Sequence, residues 1–295
     1  MKKSVQSFMH KHRPLFKQSA GFTLMELIIV IILLGVMAVG ITGFIKLTTQ
    51  TYLNVSERDE LISSARFVVE RLNRELRNAV PNSIRQINTV TEQCLEFTPI
   101  VASTVYTDIP VSPQNSDTLE VIPFIDIDGN DYVCANCNDS IAVYPTNVLG
   151  QDIYNSNNNK RFSLDSYTLP IAPSQVATLT LDSAESFAAH SPTSRAYIIN
   201  SPISYCVILT GGEAKIERFS NYYLLQNQLG SNDLLALGAS RSLMAESLAY
   251  TQGELPFTVV NATLQRNAVI QIKLIFTREG ERVVFDNAVH INNVP

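Results

Sequence analysis

The sequence predicts an α+β fold, in which one long N-terminal helix packs against a body of antiparallel strands. Two observations lead to this prediction. An uncharged, largely apolar run at residues 27–45 is followed by an apolar stripe at helical spacing, and the pattern continues to Pro81. Beyond Pro81 the chain changes to short alternating segments separated by turn residues, which is typical of strands.

The uncharged run from Leu27 to Ile45 is 19 residues long, enough for a helix that crosses a membrane. At the helical rise it spans about 28 Å, close to the roughly 30 Å hydrocarbon core of a bilayer. Basic residues precede it, which predicts a cytoplasmic N-terminus and a body on the outer side. A cleavable secretory signal is the alternative, although its apolar region is normally only about 7–15 residues.

Charge is distributed unevenly along the chain. The first 21 residues carry five basic and no acidic side chains, so the rest has a net charge of −10 against −5 for the whole. A basic segment before an apolar run is typical of a targeting signal, and an acidic remainder suits an exported body. Without a global basic field, the sequence predicts no nucleic-acid partner.

Directly before the apolar run, residues 21–26 read GFTLME. An acid at this depth, Glu26, is costly in a membrane unless it is paired. The order resembles the prepilin cleavage and methylation motif of the type IV pilin family. The resemblance implies cleavage between Gly21 and Phe22, N-methylation of Phe22, and pairing of Glu26 with the terminal amine of a neighbouring subunit. The alternative role of Glu26 is a helix N-terminal acid favoured by the macrodipole.

The resemblance implies a pilin fold and four regions. These are a cleaved basic leader (1–21), the transmembrane and assembly half of the helix (22–46), its amphipathic half (47–80) and an extracytoplasmic β-rich body (81–295). It also implies three partners: prepilin peptidase, other pilin or pseudopilin subunits, and an inner-membrane assembly platform. We expect a single-pass protein of the bacterial inner membrane, with a periplasmic body, that later enters a pilus or pseudopilus.

The predicted helix extends from Leu24 to Ala79. Apolar residues behind the membrane segment share one helical face. They are Leu61, Ala65, Val68, Val69, Leu72, Leu76 and Val80. Acid–base pairs four residues apart, such as Arg71–Glu75 and Glu70–Arg74, lie on the polar face. In the apolar half, Gly35, Gly40 and Gly43 predict either close helix contact or a bend.

Alternating segments in the body predict antiparallel strands, and Gly211-Gly212 predicts the clearest hairpin. The predicted strands are 94–101, 118–127, 141–144, 195–200, 205–210, 214–219, 257–264, 269–277 and 282–291. Asp128-Gly129 predicts a further turn. Residues 146–175, rich in Asn, Ser and Pro, predict an irregular loop, and residues 234–250 predict a helix.

The chain has four cysteines, which allow three disulfide pairings. We favour Cys134–Cys137, closing a small loop, and Cys94–Cys206, joining two strands, and the crossed pairings remain open. A redox CxxC would need a thioredoxin-like setting, and a zinc site would need a second close cysteine pair. Neither is evident in the sequence.

Other chemistry is weakly indicated. Asp126, Asp128 and Asn130 form a weak calcium candidate, but the spacing fails the EF-hand pattern and favours a plain turn. We therefore predict no metal site and no cofactor. The sequence contains no nucleophile constellation, phosphate loop or dinucleotide fingerprint, so we predict that the protein is not an enzyme.

The body is larger than a minimal pilin domain. Its C-terminal run resembles that of the larger minor pilins, with a predicted helix near Ala245-Glu246, two alternating strands and a final Asn-Val-Pro. The larger minor pilins include the MshO-like proteins of mannose-sensitive haemagglutinin (MSHA) pili, the PilW-like proteins and the J-class pseudopilins of type II secretion. The resemblance implies a minor pilin that takes part in MSHA-like type IV pilus biogenesis, in a tip or initiation complex. The alternatives are a type II secretion pseudopilin, a tip adhesin and a signal-anchored periplasmic enzyme.

Overall fold

The computed structural model describes residues 21–135, 137–146, 152–250, 255–262, 267–278 and 280–291. The predicted leader therefore lies, except for Gly21, outside the described residues. The chain divides into two compact units, the first ending at Ser56 and the second beginning at Glu57. An N-terminal helix followed by antiparallel strands confirms the predicted α+β class.

Helix α1 runs from Leu24 to Arg77, so it begins where the sequence predicts and ends two residues before the predicted Ala79. All described residues of the first unit, 21–56, are exposed. In the second unit, the apolar stripe of α1 is buried. Its buried members are Leu61, Ala65, Val68, Val69, Leu72 and Leu76. Val80, just past the helix end, is buried as well.

The buried stripe of α1 packs on an antiparallel sheet of eight strands. Neighbouring strands follow the order β1-β2-β9-β10-β11-β13-β12, and β14 pairs with β13. The bounds are β1 Arg85–Asn88, β2 Glu92–Phe97, β9 Ile203–Thr210, β10 Glu213–Ser220, β11 Ser240–Leu248, β12 Phe257–Val260, β13 Ala268–Arg278 and β14 Glu281–Ile291. A short helix, α2 (Ser231–Ala236), precedes β11. Inward-facing side chains of these strands and the α1 stripe form one hydrophobic core.

A closed barrel of six strands is inserted between β2 and β9. Its strand order is β3-β4-β7-β6-β5-β8. The bounds are β3 Ile100–Asp108, β4 Ser116–Val121, β5 Ser140–Val143, β6 Arg161–Thr168, β7 Ala177–Glu185 and β8 Arg195–Ile199, with a 3-10 turn at Ser156–Asn158. The barrel has its own apolar core, separate from that of the sheet. This second core does not follow from the sequence pattern, which predicts a single β-rich body over residues 81–295.

Several predicted strands are confirmed. The hairpin at Gly211-Gly212 joins β9 to β10, and both glycines have positive φ (63° and 91°). A two-residue turn of this kind requires that conformation, which suits glycine. β5, β8, β13 and β14 lie within two residues of their predicted bounds.

Other strand bounds are corrected. The predicted strand 94–101 is split, because β2 ends at Phe97 and β3 begins at Ile100 after Pro99. The predicted strand 118–127 ends at Val121, and Pro123, which has no N–H for a ladder, follows it. β12 ends at Val260, earlier than the predicted 264, and residues 263–266 lie outside the described chain.

Two predictions for the body are wrong. The predicted loop 146–175 contains β6, which pairs with both β5 and β7. Of the predicted helix 234–250, only residues 234–236 are helical, as part of α2, and Ser240–Leu248 form β11 instead. Ala and Leu favour a helix there, but pairing with β10 buries Met244, Ala245 and Leu248 in the sheet core, and this tertiary context prevails.

Candidate functional site

The start of α1 carries a reciprocal pair of hydrogen bonds between Thr23 and Glu26. The Glu26 N–H donates to Thr23 Oγ1 (3.3 Å), while the Thr23 N–H and hydroxyl both donate to Glu26 Oε2 (3.2 Å each). This is a capping box, in which the side chains of the N-cap and the third helical residue satisfy each other's backbone donors. Glu26 thus lies in the first turn, where the helix dipole also favours an acid.

Thr23 is the residue of this site that the sequence analysis missed. The signal was available, because Ser or Thr followed three residues later by Glu before an apolar run is the sequence signature of a capping box. The motif residues Gly21 and Phe22 are described and exposed, Phe22 with 80% of its surface accessible. The site therefore presents an accessible peptide bond one turn away from a fixed carboxylate.

The helix behind this site suits a hydrocarbon environment. By length and composition α1 is able to cross a membrane, with a mean hydropathy of 2.9 in its most apolar window, none of which is buried within the chain. Two of its hydroxyl groups are satisfied locally, since Thr42 and Thr48 donate to the carbonyls of Ala38 and Phe44 (2.8 Å each). Because lipid offers no partners, such internal bonds lower the cost of burying a hydroxyl.

The three glycines of the apolar half are not required by contacts within the chain. A Cβ added at Gly35, Gly40 or Gly43 meets no side chain or remote backbone within 4 Å. Small residues at these positions would let a neighbouring helix approach closely. Close contact with another subunit stays a prediction.

In a comparison with protein-family models, residues 16–42 match the prokaryotic N-terminal methylation motif. The matched segment contains Gly21, Phe22, the capping box and most of the apolar run. The match supports a type IV pilin-like protein. The motif implies membrane anchoring, processing by prepilin peptidase and assembly with other pilins. Neither a curated protein nor a solved structure matches the chain.

The four cysteines of this pilin-like chain form the two disulfides favoured from the sequence. Cys94 and Cys206 lie directly opposite each other on β2 and β9, with Cα atoms 4.0 Å apart. Both are fully buried, in a small core on the sheet face opposite α1. The second disulfide, Cys134–Cys137, closes a short loop on the barrel. Cys94 and Cys206 lie within strands, and Cys134 and Cys137 lie in the connection between β4 and β5. Neither pair therefore stands at the N-terminus of a helix, as the redox cysteines of a thioredoxin-like unit do.

The weak calcium candidate folds as a turn. Asp126 Oδ1 accepts the backbone N–H groups of Asp128 (3.0 Å) and Asn130 (2.8 Å), and its Oδ2 accepts the Asn130 amide (3.3 Å). These hydrogen bonds, the Asn130 N–H first, lower the pKa of Asp126. The carboxylate is engaged in closing its own loop. Within the described residues no group of three or more His, Cys, Asp or Glu side chains is placed to hold a metal.

Proposed function

We propose that the chain is a minor pilin or pseudopilin whose work is assembly rather than catalysis. Prepilin peptidase cuts between Gly21 and Phe22, and Phe22 is then N-methylated. Before assembly, α1 anchors the protein in the bacterial inner membrane, with the N-terminus in the cytoplasm and the body in the periplasm. An inner-membrane platform then inserts the subunit among other pilins.

The observation that carries this proposal is the capped Glu26 at the start of an exposed apolar helix. A lone acid at this depth of a membrane is costly. The cut would leave a cationic amine on Phe22, one turn from the carboxylate. In a stack of staggered helices, an amine of one subunit and the Glu26 of its neighbour neutralise each other, which offsets the desolvation of both and sets the axial register.

The size of the body supports a low-copy position. A sheet that carries an additional six-stranded barrel is bulky, and repetition at every filament position would crowd the filament surface. A subunit at the tip, or in the complex that initiates a filament, avoids this crowding. We place the protein in an MSHA-like type IV pilus, and a type II secretion pseudopilus is the second candidate.

Glu26→Ala tests the assembly role. We expect the variant to be processed and membrane-inserted but lost from sheared filaments, because the terminal amine has no counter-charge. Glu70→Ala, which removes an exposed acid from the same helix, is the matched control and should assemble normally. Assembly of the Glu26→Ala variant at the wild-type level would contradict the proposal.

Two further measurements address the finer assignment. Quantitative mass spectrometry of sheared filaments should find the protein at a small fraction of the main subunit. Deletion of the chain should abolish or reduce pili while type II secretion of enzymes continues. The reverse pattern, normal pili with blocked secretion, would assign the protein to a pseudopilus.

A further inference from the structure

A polar cleft of about 690 Å³ lies where the inserted barrel meets the segment that follows β10. One wall is formed by the barrel through Asp139, Arg161 and Asp182, and the facing wall by residues 221–224. Between them lies Asn200, in the connection from β8 to β9. This volume is within the range of small-molecule sites, roughly 300–1,000 Å³. A smaller cleft of about 360 Å³ shares Arg161, Ser163 and Asp182 with its lining.

Two carboxylates and one guanidinium line the cleft without forming an ion pair with one another. Asp139 is 8% exposed, and burial lowers the pKa of Arg161. Among the ion pairs of the described chain, none within 4.0 Å includes Asp139, Arg161 or Asp182. Arg161 donates through Nε to the Ile153 carbonyl (3.0 Å), which fixes its stem while its terminal nitrogens have no further partner in the described chain.

The cleft walls are held in place by hydrogen bonds that do not depend on a ligand. Asp139 accepts the Tyr132 hydroxyl (2.8 Å) and the Asn200 amide. On the facing wall, Tyr222 is buried and its hydroxyl bonds Ser204 (2.8 Å), while the Asn221 amide donates to Ser240 Oγ (3.0 Å). A preorganised arrangement of polar groups lowers the cost of ordering side chains on binding.

One aromatic ring stands at the rim of the cleft. Tyr223 is 77% exposed, although its neighbour Tyr222 is buried and anchors the same segment. An exposed ring next to hydrogen-bonding groups offers an apolar face at low conformational cost. The cleft therefore combines acceptors, donors and a flat apolar surface.

We propose that this cleft binds a saccharide. Sugar hydroxyls both donate and accept, so they match a wall that carries carboxylates, amides and a guanidinium together. The apolar face of a sugar ring matches Tyr223. A simple anion such as phosphate would meet the like charges of Asp139 and Asp182. The proposal does not rest on filament assembly, since the cleft lies wholly within the second unit.

Saturation-transfer NMR on the full processed chain in detergent micelles tests this, with chitotriose, maltotriose and sialyllactose as separate probes. We expect at least one trisaccharide to bind and Asp182→Asn to weaken that binding about tenfold. Tyr223→Ala should weaken it similarly, whereas Tyr223→Phe, which keeps the ring, should retain it. Ile171→Ala is the matched control, because Ile171 is similarly exposed (79%) and lines neither cleft.

Both substituted side chains are exposed, so the variants should fold, and their thermal unfolding should match that of the wild type. Binding that fails in Asp182→Asn and Tyr223→Ala but survives in Ile171→Ala supports the proposal. Absence of binding to all three trisaccharides overturns it, as does binding that neither cleft substitution weakens.

Discussion

At the scale of single residues, Thr23 and Glu26 explain how an acid is accommodated at the start of an apolar helix. The donors to Glu26 belong to Thr23, on the C-terminal side of the Gly21–Phe22 bond. A cut at that bond leaves both groups in place. We therefore infer that Thr23 holds the Glu26 carboxylate at the end of the helix where the new amine appears.

Thr23→Ala should weaken this arrangement and Thr23→Ser should preserve it. Loss of an N-cap side chain costs about 0.5–2 kcal/mol of helix stability. We expect faster amide exchange over Leu24–Leu27 in micelles and reduced entry into filaments for Thr23→Ala. Wild-type exchange and assembly in Thr23→Ala would show that the capping box does not position Glu26.

A second residue of note is Glu96, which is buried (1% exposed) in the sheet beside Arg85. Arg85 donates to Glu96 Oε1 through Nε (2.8 Å) and Nη2 (2.6 Å). Burial raises the pKa of Glu96 above its ordinary value of about 4.5, although Arg85 acts in the opposite direction. Tyr154 and Tyr222 are also close to Glu96, and burial raises the pKa of both above their ordinary range.

This shift predicts how the stability of the body depends on pH. The folded state binds the Glu96 proton more tightly than the unfolded state, so the contribution is full below about pH 4.5 and is lost as pH rises through the folded pKa. Glu96→Gln should remove this loss and flatten the stability profile above pH 4.5. Thermal unfolding across pH 4–8 measures it, with the exposed Glu120→Gln as control. A stability profile of Glu96→Gln identical to that of the wild type would contradict the raised pKa of Glu96.

At the level of helices and strands, the sequence predicts structure well where apolar and polar residues alternate. It predicts structure poorly where pairing with a distant strand determines the secondary structure. Apolar and polar side chains alternate clearly along β13 and β14. The glycine pair at 211–212 marks the turn between β9 and β10. β11 carries helix-favouring residues, and only its pairing with β10 makes it a strand. The capping box could be recognised in the sequence, whereas the polar cleft between the barrel and residues 221–224 could not, because its lining residues are far apart in the chain.

The contact between α1 and the sheet contains a polar anchor at Glu75. Its Oε2 accepts the Tyr205 hydroxyl of β9 (2.9 Å) and Arg218 Nε of β10 (3.1 Å), and its Oε1 accepts Arg71 Nε (3.0 Å). The predicted Arg71–Glu75 pair is thereby confirmed, while Glu70 and Arg74, both described, form no ion pair within 4.0 Å. Glu75 ties the helix to two strands at once.

Glu75→Ala should destabilise the body more than an ordinary surface change. It leaves the Tyr205 hydroxyl and two guanidinium groups without their acceptor in a partly buried position, which costs about 1–3 kcal/mol. Glu70→Ala, on the exposed side of the same helix, should lie within about 0.5 kcal/mol of the wild type. Chemical denaturation of the full chain in micelles measures both. Equal stability of the two variants would exclude an anchoring role.

At the scale of the whole molecule, the body is a pilin-like sheet with a barrel inserted between two of its paired strands. The favoured Cys94–Cys206 disulfide already predicted a link between two strands 112 residues apart. The sequence did not predict that the residues between them form a separate barrel, because no local pattern reports how those six strands pair. The Cys94–Cys206 disulfide joins these strands directly before and after the barrel, so it closes the loop that contains the whole insertion.

Removal of this disulfide should affect stability more than removal of the other. In the chain-entropy account, a loop of this length contributes about 5 kcal/mol and the short Cys134–Cys137 loop about 2 kcal/mol. We expect Cys94→Ala/Cys206→Ala to unfold at much lower denaturant than Cys134→Ala/Cys137→Ala. If the first variant fails to accumulate while the second is stable, this also shows that the Cys94–Cys206 disulfide contributes more to stability. A larger loss in the second would contradict the account.

Processing at the N-terminal motif can be read from the mass of the mature N-terminus. Co-expression with an active prepilin peptidase, followed by mass spectrometry of the membrane-extracted protein, identifies that terminus. We expect a chain that begins at Phe22 and carries one methyl group on its amine. A chain that remains uncut beside the active peptidase, or that is cut behind the apolar run after Ile45, would exclude processing at this motif.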